Sequence, residues 1–318
     1  MLSRRHLRVK VVQSLYAFFQ SENDRLDLGE KQLILSVNKL YELFIHQLSF
    51  LVAFRDFSEN RIEEAKKKHF PTEKDINPNT KFIENRIIKQ LSSNVDFLKK
   101  EKAYKISWND DADIIRKFFI KIKDSYEYLN YLDSDEDSYE NDKKIILKLI
   151  KKYISSFELL ENYYEDKSIY WADDYHTANF LTQKTIQSFT EEQDEYKLLP
   201  GIYKSLGENN EDKDFIISLF RKSILKSNEY NLMIEEKAKN WEIERIAVMD
   251  VILLKMALTE LLEFPSIPIK VTMNEYIEIA KYFSTSKSSV FINGILDKMI
   301  ESLKDENKIK KTGRGLMT

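Results

Sequence analysis

The segment PIKVTMNEYIEIAKYFSTSKSSVFING, residues 268–294, decides the fold. Its apolar residues recur at three- and four-residue spacing, which predicts helices over about Thr272–Phe283 and Ser289–Lys304, joined by a turn. Thr272 followed by Glu275 predicts a capping box, in which each side chain satisfies the free amide of the other residue. This part of the chain is therefore expected to be helical and tightly packed.

The same periodicity continues outward through the rest of the chain. With only 6 Gly and 5 Pro in 318 residues, and no sustained strand-like alternation, the sequence predicts an all-α protein. Gly294 inside an apolar helix predicts close helix packing there, and residues 199–214 form the strongest candidate linker. Further helices are expected over about Arg5–Glu22, Gly29–Phe57, 79–102, 109–132, Lys143–Tyr164, Thr177–Phe189, Lys213–Ser227, Glu229–Lys239 and Glu242–Glu263.

Composition narrows the possible locations and partners. The net charge of −3 argues against a protein that is basic all over, so any nucleic acid would bind a local patch. There is no cysteine, which excludes disulfides and thiolate chemistry. The most apolar run, Ile246–Leu262, carries charges and is shorter than the ~20 residues needed to span a bilayer. We therefore expect a cytoplasmic protein.

Enzymatic signatures are lacking in the sequence. The four histidines have no partner at metal-ligand spacing, and the six glycines are too scattered to form a phosphate loop. No nucleophile elbow is found. The sequence therefore predicts neither a catalytic residue nor a metal or cofactor, and we expect a protein that is not an enzyme.

The start of the chain is a candidate phosphate-binding patch. Arg4, Arg5, Arg8 and Lys10 precede the first acidic residue, and Gln13 adds a neutral donor and acceptor one turn later. Arginine and lysine can make charge-assisted contacts to phosphates. Basic residues at a helix N-terminus oppose the macrodipole, which is easier to understand if an anion is bound. The alternative is a solvated, frayed terminus.

Two features near the C-terminal helices are further candidates. Lys287 lies in the turn 284–289, whose small hydroxyl residues precede a helix N-terminus and could bind phosphate; the alternative is an ordinary loop with a serine cap. Asp250 lies on an otherwise apolar stripe and therefore needs a partner. That partner is either an internal arginine or lysine, or another protein.

Several motifs along the chain resemble the NusB family of RNA-binding transcription antitermination factors. The C-terminal resemblance covers about 213–303, and the N-terminal one covers about 3–24. The length of the chain resembles that of NusB homologues of the Bacteroidetes type, which implies a central insertion. The motifs are Arg4-Arg5, Val12-Gln13, Leu15-Tyr16, Asn240-Trp241, Arg245-Ile246, Pro268, Lys270-Val271, Asn274-Glu275, Ala280-Lys281 and Phe291-Ile292-Asn293-Gly294.

The resemblance implies a NusB-like helical bundle with a large all-helical insertion after the first helix or two. It divides the chain into 1–45, an insertion over 46–209, a C-terminal subdomain over 210–305 and a flexible charged tail over 306–318. It also implies binding to boxA RNA of ribosomal RNA leader transcripts, together with the ribosomal protein NusE, in an RNA polymerase antitermination complex.

Carried over by position, the resemblance assigns two kinds of contact. RNA contact falls to Arg4, Arg5, Arg8, Lys10, Gln13, Lys287 and Phe291. NusE contact falls to Tyr16 and Asp250. Two other readings stay open, namely a helical protein-protein scaffold with vestigial RNA affinity and an accessory RNA-binding module for ribosomal RNA modification.

Overall fold

The computed structural model describes residues 2–21, 25–203, 210–238 and 246–316. Within these residues there are helices and no β-strand, so the all-α prediction is confirmed. The α-helices are α1 Arg4–Gln20, α2 Leu26–Lys66, α3 Glu73–Ile76, α4 Arg86–Ser93, α5 Val95–Ala103, α6 Ala112–Ile122, α7 Tyr126–Asp133, α8 Tyr139–Lys148, α9 Glu158–Lys167, α10 Tyr175–Ser188, α11 Glu211–Leu225, α12 Ser227–Lys237, α13 Val248–Glu263, α14 Ile269–Phe283 and α15 Ser288–Asp305.

The chain divides into two compact units. The inserted unit comprises residues 38–202, and the split unit comprises residues 2–37 and 203–318, so that α2 contributes to both. The sequence analysis placed the insertion at residues 46–209. Its first residue lies a few residues after the start of the inserted unit, and its last residue lies a few residues after the end of that unit. Asn240, Trp241 and Arg245 lie outside the described residues, as do Glu22 and part of the predicted linker.

The core of the split unit is built around α13. Nearly every residue from Ile252 to Leu261 is buried, because α13 packs against α1, α11, α12, α14 and α15. Gly29 marks a close approach at the start of α2, since a Cβ there would lie 2.7 Å from the ring of Phe220. A helix contacted on so many sides cannot have a solvent-exposed polar face, which explains why most of its residues are apolar.

The core of the inserted unit is rich in aromatic rings. His46 on α2 lies edge-on to Trp108, Tyr164 and Trp171, with centroids 6.4, 5.9 and 5.0 Å away. Phe54 and Phe118 extend the cluster, with a ring separation of 5.0 Å. Such edge-to-face pairs add to the stabilisation from buried area alone.

Several helices of the inserted unit are shorter than periodicity predicts, although α2 continues to Lys66, beyond the predicted end at Phe57. The expected helix over 79–102 is two helices, because the side chain of Asn94 accepts from the amide of Phe97 and begins α5 anew. A π-helical turn, Leu149–Ile154, follows α8 directly and ends the helix expected to continue to Tyr164. Asx caps of this kind compete locally with helix continuation.

Three local predictions for the split unit are wrong. The helix α14 begins at Ile269 with Pro268 as its N-cap, so Thr272 lies inside the helix and makes no capping box. An added Cβ at Gly294 would meet nothing within 4 Å, so this glycine marks no close packing. The segment after α15 is attached, because the Lys311 Nζ donates to the carbonyl oxygens of Glu260 and Phe264.

Within the described residues, none of the helices combines the length and apolarity needed to cross a bilayer. The same residues contain no group of three His, Asp or Glu side chains placed to hold a metal ion.

Candidate nucleic-acid interface

The N-terminus of α1 is fixed by its own cap. The Ser3 amide donates to His6 Nδ1, and the His6 amide donates to Ser3 Oγ. Burial, and then the charge of Arg5, lower the pKa of His6, which suits a neutral imidazole acting as acceptor. The basic start of the chain is therefore an ordered helix turn, and the alternative of a frayed terminus does not describe it.

Arg8 lies in the interior of the split unit. It is 2% exposed, and its Nε and Nη2 donate to the two carboxylate oxygens of Glu260, each at 2.8 Å. Thr272 Oγ1 and Tyr276 OH donate to the same carboxylate at 2.8 and 3.2 Å. Burial alone would lower the pKa of Arg8, but the hydrogen bonds and charge of Glu260 outweigh it and raise the pKa. The predicted RNA contact at Arg8 is therefore corrected to an internal ion pair.

Arg5 and Arg4 remain closer to solvent. The side chain of Arg5 is 47% exposed, and its Nε and Nη2 donate to Glu275 at 3.0 and 2.8 Å. These hydrogen bonds raise the pKa of Arg5. Arg4 lies over the ring of Phe215 at 4.7 Å and forms an ion pair with Asp212 at 3.4 Å. The anions expected beside the basic start are thus carboxylates of the same chain.

The middle of α1 is more buried than its assignment to RNA contact requires. Lys10 is 2% exposed, although the sequence analysis assigned it to RNA contact. This correction follows from packing, since α1 contacts both α11 and α13 and therefore buries a stripe wider than a single face. Gln13 is half-buried, and Tyr16 is exposed. Of the residues predicted on this helix, Arg5 and Tyr16 offer the most accessible side chains.

Asp250 forms hydrogen bonds with the turn between α14 and α15. This aspartate is 5% exposed and accepts hydrogen bonds from Ser284 Oγ at 2.6 Å and from Ser288 Oγ at 2.8 Å. The partner that sequence analysis sought is therefore neither an arginine nor a lysine but two hydroxyl groups. Because Asp250 is buried, the predicted direct contact with NusE is replaced by a role in shaping this turn.

The side chains of the turn point in different directions. Lys287 is exposed immediately before α15, whereas Phe291, one turn later, is buried in the helix packing. The predicted RNA contact of Phe291 therefore does not fit its buried position. Its neighbour Val290 is exposed. The accessible part of the turn is a cation flanked by small polar groups.

Tyr282 is an aromatic candidate that sequence analysis did not identify. Its side chain is 81% exposed near the end of α14, directly after Lys281. Tyr282 lies seven residues after Glu275, about 10 Å along a helix that rises 1.5 Å per residue. The available signal was its place beside Glu278 and Lys281 on the polar face of α14. An exposed ring of this kind can stack on an unpaired base.

Comparisons with known proteins agree on one family. The NusB family model matches residues 175–301. The chain is 46% identical over 112 residues to the transcription antitermination protein NusB of Salinibacter ruber, covering 35% of this chain and 70% of that protein. It is 42% identical over 105 residues to the protein of the same name from Chloroherpeton thalassium, covering 33% and 50%. For the Geotalea daltonii protein, also named NusB, the identity is 42% over 106 residues, covering 33% and 73%.

The family match has clear limits along the chain. It begins at α10, in a region that the sequence analysis assigned to the insertion, and it does not reach α1. The place of α1 in the site therefore rests on its ion pairs with α13 and α14. No solved structure matches the chain. Because 70% of the Salinibacter protein and 73% of the Geotalea protein are matched at 46% and 42% identity, the chain belongs to the NusB family.

Proposed function

We propose that this chain is a transcription antitermination factor that binds boxA RNA of ribosomal RNA leader transcripts together with NusE. The complex promotes read-through by RNA polymerase in the cytoplasm, and the chain itself catalyses no reaction. The observation that carries the proposal is the match to 70% of a protein named as a NusB antitermination protein. The geometry of the split unit supports it and assigns the roles below.

Arg5 and Lys287 are the cations that reach the RNA backbone. Both are exposed, and Arg5 is already oriented by Glu275 through its Nε and Nη2 atoms. The Nη1 amino group is not used by Glu275, so a phosphate can bind while the ion pair persists. Arg8 and Lys10 act from the interior, by holding α1 in place for these contacts.

Tyr282 supplies the stacking surface for an unpaired base. Sequence-specific RNA recognition favours single strands, whose bases can be splayed out and stacked on aromatic side chains. Tyr282 is exposed and follows Lys281 on α14, whereas Phe291 is buried. The phenolic ring therefore makes an RNA contact in place of Phe291, to which the resemblance assigned one.

The NusE contact involves the exposed side chain of Tyr16 on α1. Asp250 contributes indirectly, because its hydrogen bonds to Ser284 and Ser288 fix the turn that carries Lys287. A change at Asp250 would thus alter RNA and partner binding through the turn.

The test is fluorescence anisotropy of the purified chain with a boxA leader RNA and a scrambled RNA, with and without NusE, at two salt concentrations. We expect tighter binding to boxA and further enhancement by NusE. The double variant Arg5→Gln/Lys287→Gln should bind boxA more weakly. It should also reduce the slope of log K against log salt by about 1.4, since each phosphate contact on a single strand contributes about 0.7.

The charge-matched control is Lys298→Gln/Lys304→Gln. These lysines are exposed on the later turns of α15, at least 11 residues from Lys287, or about 16 Å along the helix. The control should bind boxA as the wild type does. Equal binding of both RNAs, unaffected by NusE, would instead favour the scaffold reading.

A further inference from the structure

The inserted unit carries a row of lysines on α8 and the π-helical turn that follows it. Lys144, Lys148 and Lys151 are exposed and spaced four and three residues apart. At a rise of about 1.5 Å per residue, this row is about 10 Å long. Each strand of a B-form duplex carries a phosphate about every 3.4 Å along the axis, and an unpaired strand is more extended, so the row is long enough to contact two or three phosphates.

These lysines line one open groove. Its volume is about 470 Å³, and the side chain of Gln183 on α10 forms the opposite wall. Glu136 and Glu140 also line it, and Leu147 is its one apolar lining residue. The groove therefore offers cations, amides and the aliphatic stems of its lysines, but no aromatic side chain.

The lysines of the row differ from their neighbours in how their charges are balanced. Lys143 forms an ion pair with Glu140 at 3.1 Å, and Lys152 forms one with Glu127 at 2.5 Å. Among the described residues, no carboxylate forms an ion pair with Lys144, Lys148 or Lys151. Like charges four residues apart destabilise a helix, and an anion in the groove would offset that cost.

We propose that this groove is a second RNA-binding site, which holds the phosphate backbone of a single strand without reading its sequence. This proposal rests on the proposed function, because the strand would be part of the same transcript. Lysine acts as a flexible point charge and suits phosphates whose exact positions vary. The groove has no aromatic lining for stacking bases, so it supplies affinity rather than specificity.

A nucleic acid strand fits this groove better than an acidic protein does. Protein partners are held mainly by buried aromatic or arginine anchors that enter well-packed pockets. The groove is open, and Leu147 is its one apolar residue. Its regular row of cations instead matches a ligand whose charges repeat along a chain.

The experiment measures binding of the full chain to a fluorescent oligouridylate, a probe without boxA sequence, over a range of salt concentrations. The variant is Lys144→Gln/Lys148→Gln/Lys151→Gln. We expect it to bind about 10- to 100-fold more weakly at low salt and to reduce the slope of log K against log salt by about 2. The triple Lys→Arg variant at the same positions should retain binding, because it keeps the charges.

The matched control removes three other exposed lysines of the inserted unit, Lys99, Lys102 and Lys197, in the same way. It should bind oligouridylate like the wild type. Equal loss in the control, or no loss in the groove variant, would overturn the proposal. Displacement of oligouridylate by poly-glutamate of equal charge, at equal concentration, would also overturn it in favour of an acidic protein.

Failure of the groove and failure of the antitermination role give different results. If only the groove proposal fails, the wild type still prefers boxA RNA over the scrambled control, and the groove variant binds oligouridylate normally. If only the antitermination proposal fails, boxA preference is absent, yet the groove variant still binds oligouridylate more weakly.

Discussion

The two units use different side-chain interactions to pack their helices. The split unit buries an ion pair at its centre, where Glu260 accepts hydrogen bonds from Arg8, Thr272 and Tyr276. The inserted unit instead surrounds a buried histidine, His46, with aromatic rings. Both units bury a hydrogen-bonded carboxylate, which is Asp142 in the inserted unit, but within the described residues only the split unit pairs its carboxylate with a buried arginine.

The buried ion pair of the split unit joins two residues that are far apart in the sequence. Arg8 and Glu260 are 252 residues apart, and their bidentate contact fixes the register of α1 on α13. A ring cluster tolerates small shifts, whereas a bidentate pair with further donors does not. The unit that carries the proposed boxA site is therefore also the unit with the more exacting core.

The largest expected effect comes from neutralising the buried carboxylate. Glu260→Gln removes the main counter-charge of the buried Arg8 and leaves Glu275, 3.6 Å from its Nη1, as the remaining carboxylate; removal of one partner of a buried pair costs about 3–5 kcal/mol. Chemical denaturation followed by circular dichroism measures the loss. The control Glu278→Gln removes a surface carboxylate beside Lys281 and should cost far less stability, because an exposed ion pair contributes little. Similar losses in the two variants would remove the contrast between a buried and a surface pair.

The inserted unit should be the more sensitive to mild acid. Burial, and then the charges of Lys167 and Lys39, lower the pKa of His46 to about 4. Between pH 6.5 and about pH 4, His46 is therefore protonated in the unfolded chain but neutral in the folded chain. Stability should fall by up to about 3 kcal/mol as the pH drops from 6.5 to 4.

The variant His46→Phe separates this effect from the titration of carboxylates. It keeps a ring in the cluster, so its stability should fall less than that of the wild type over the same pH range. His176→Gln, a change at an exposed histidine, should follow the wild type. Parallel curves for wild type and His46→Phe would show that His46 is not the acid-sensitive group.

A smaller effect is expected where the split unit shapes its turn. Asp250→Asn weakens the hydrogen bonds from Ser284 and Ser288, each to a charged acceptor, and should cost about 1–3 kcal/mol. Thermal unfolding measures this loss. Asp297→Asn, at an exposed position on α15, is the control and should have little effect. Unchanged stability together with weakened NusE binding would restore the direct partner contact predicted from sequence.

The smallest effect on stability is expected at Tyr282, where a change should clearly weaken RNA binding. Tyr282→Ala removes an exposed ring, so stability should stay within about 0.5 kcal/mol of the wild type. Loss of one base stack should weaken boxA binding about 10-fold, measured by fluorescence anisotropy. Tyr126→Ala, a change at an exposed tyrosine of the inserted unit, is the matched control. Equal affinity of Tyr282→Ala and wild type would remove the stacking role.

Sequence patterns predicted the helices of the split unit better than the exposure of its charges. The helices around 272–283 and 289–304 and the turn between them follow from periodicity. The burial of Arg8 and Lys10 does not, because it depends on α11 and α13, which are more than 200 residues away in sequence. Thr272 and Glu275 have capping-box spacing, but Pro268 begins the helix one turn earlier, and both side chains pair elsewhere.

For the inserted unit, composition identified a helical region but no site. The lysine row was not distinctive, because exposed lysines occur on most helices here. Its significance depends on which lysines have carboxylate partners, and that is known only from the folded structure. Lys143 and Lys144 are adjacent in sequence, yet only the former is paired.

The most direct test of the central claim compares boxA with scrambled RNA for the wild type, Tyr282→Ala and Lys144→Gln/Lys148→Gln/Lys151→Gln in one anisotropy experiment with NusE. We predict that the split-unit variant Tyr282→Ala loses much of the ratio between the two dissociation constants, because Tyr282 makes the base contact whereas the lysines contact phosphates. The inserted-unit variant should keep that ratio while both dissociation constants rise. A wild type that does not distinguish the two RNAs, or a boxA preference that only the inserted-unit variant loses, would contradict this account.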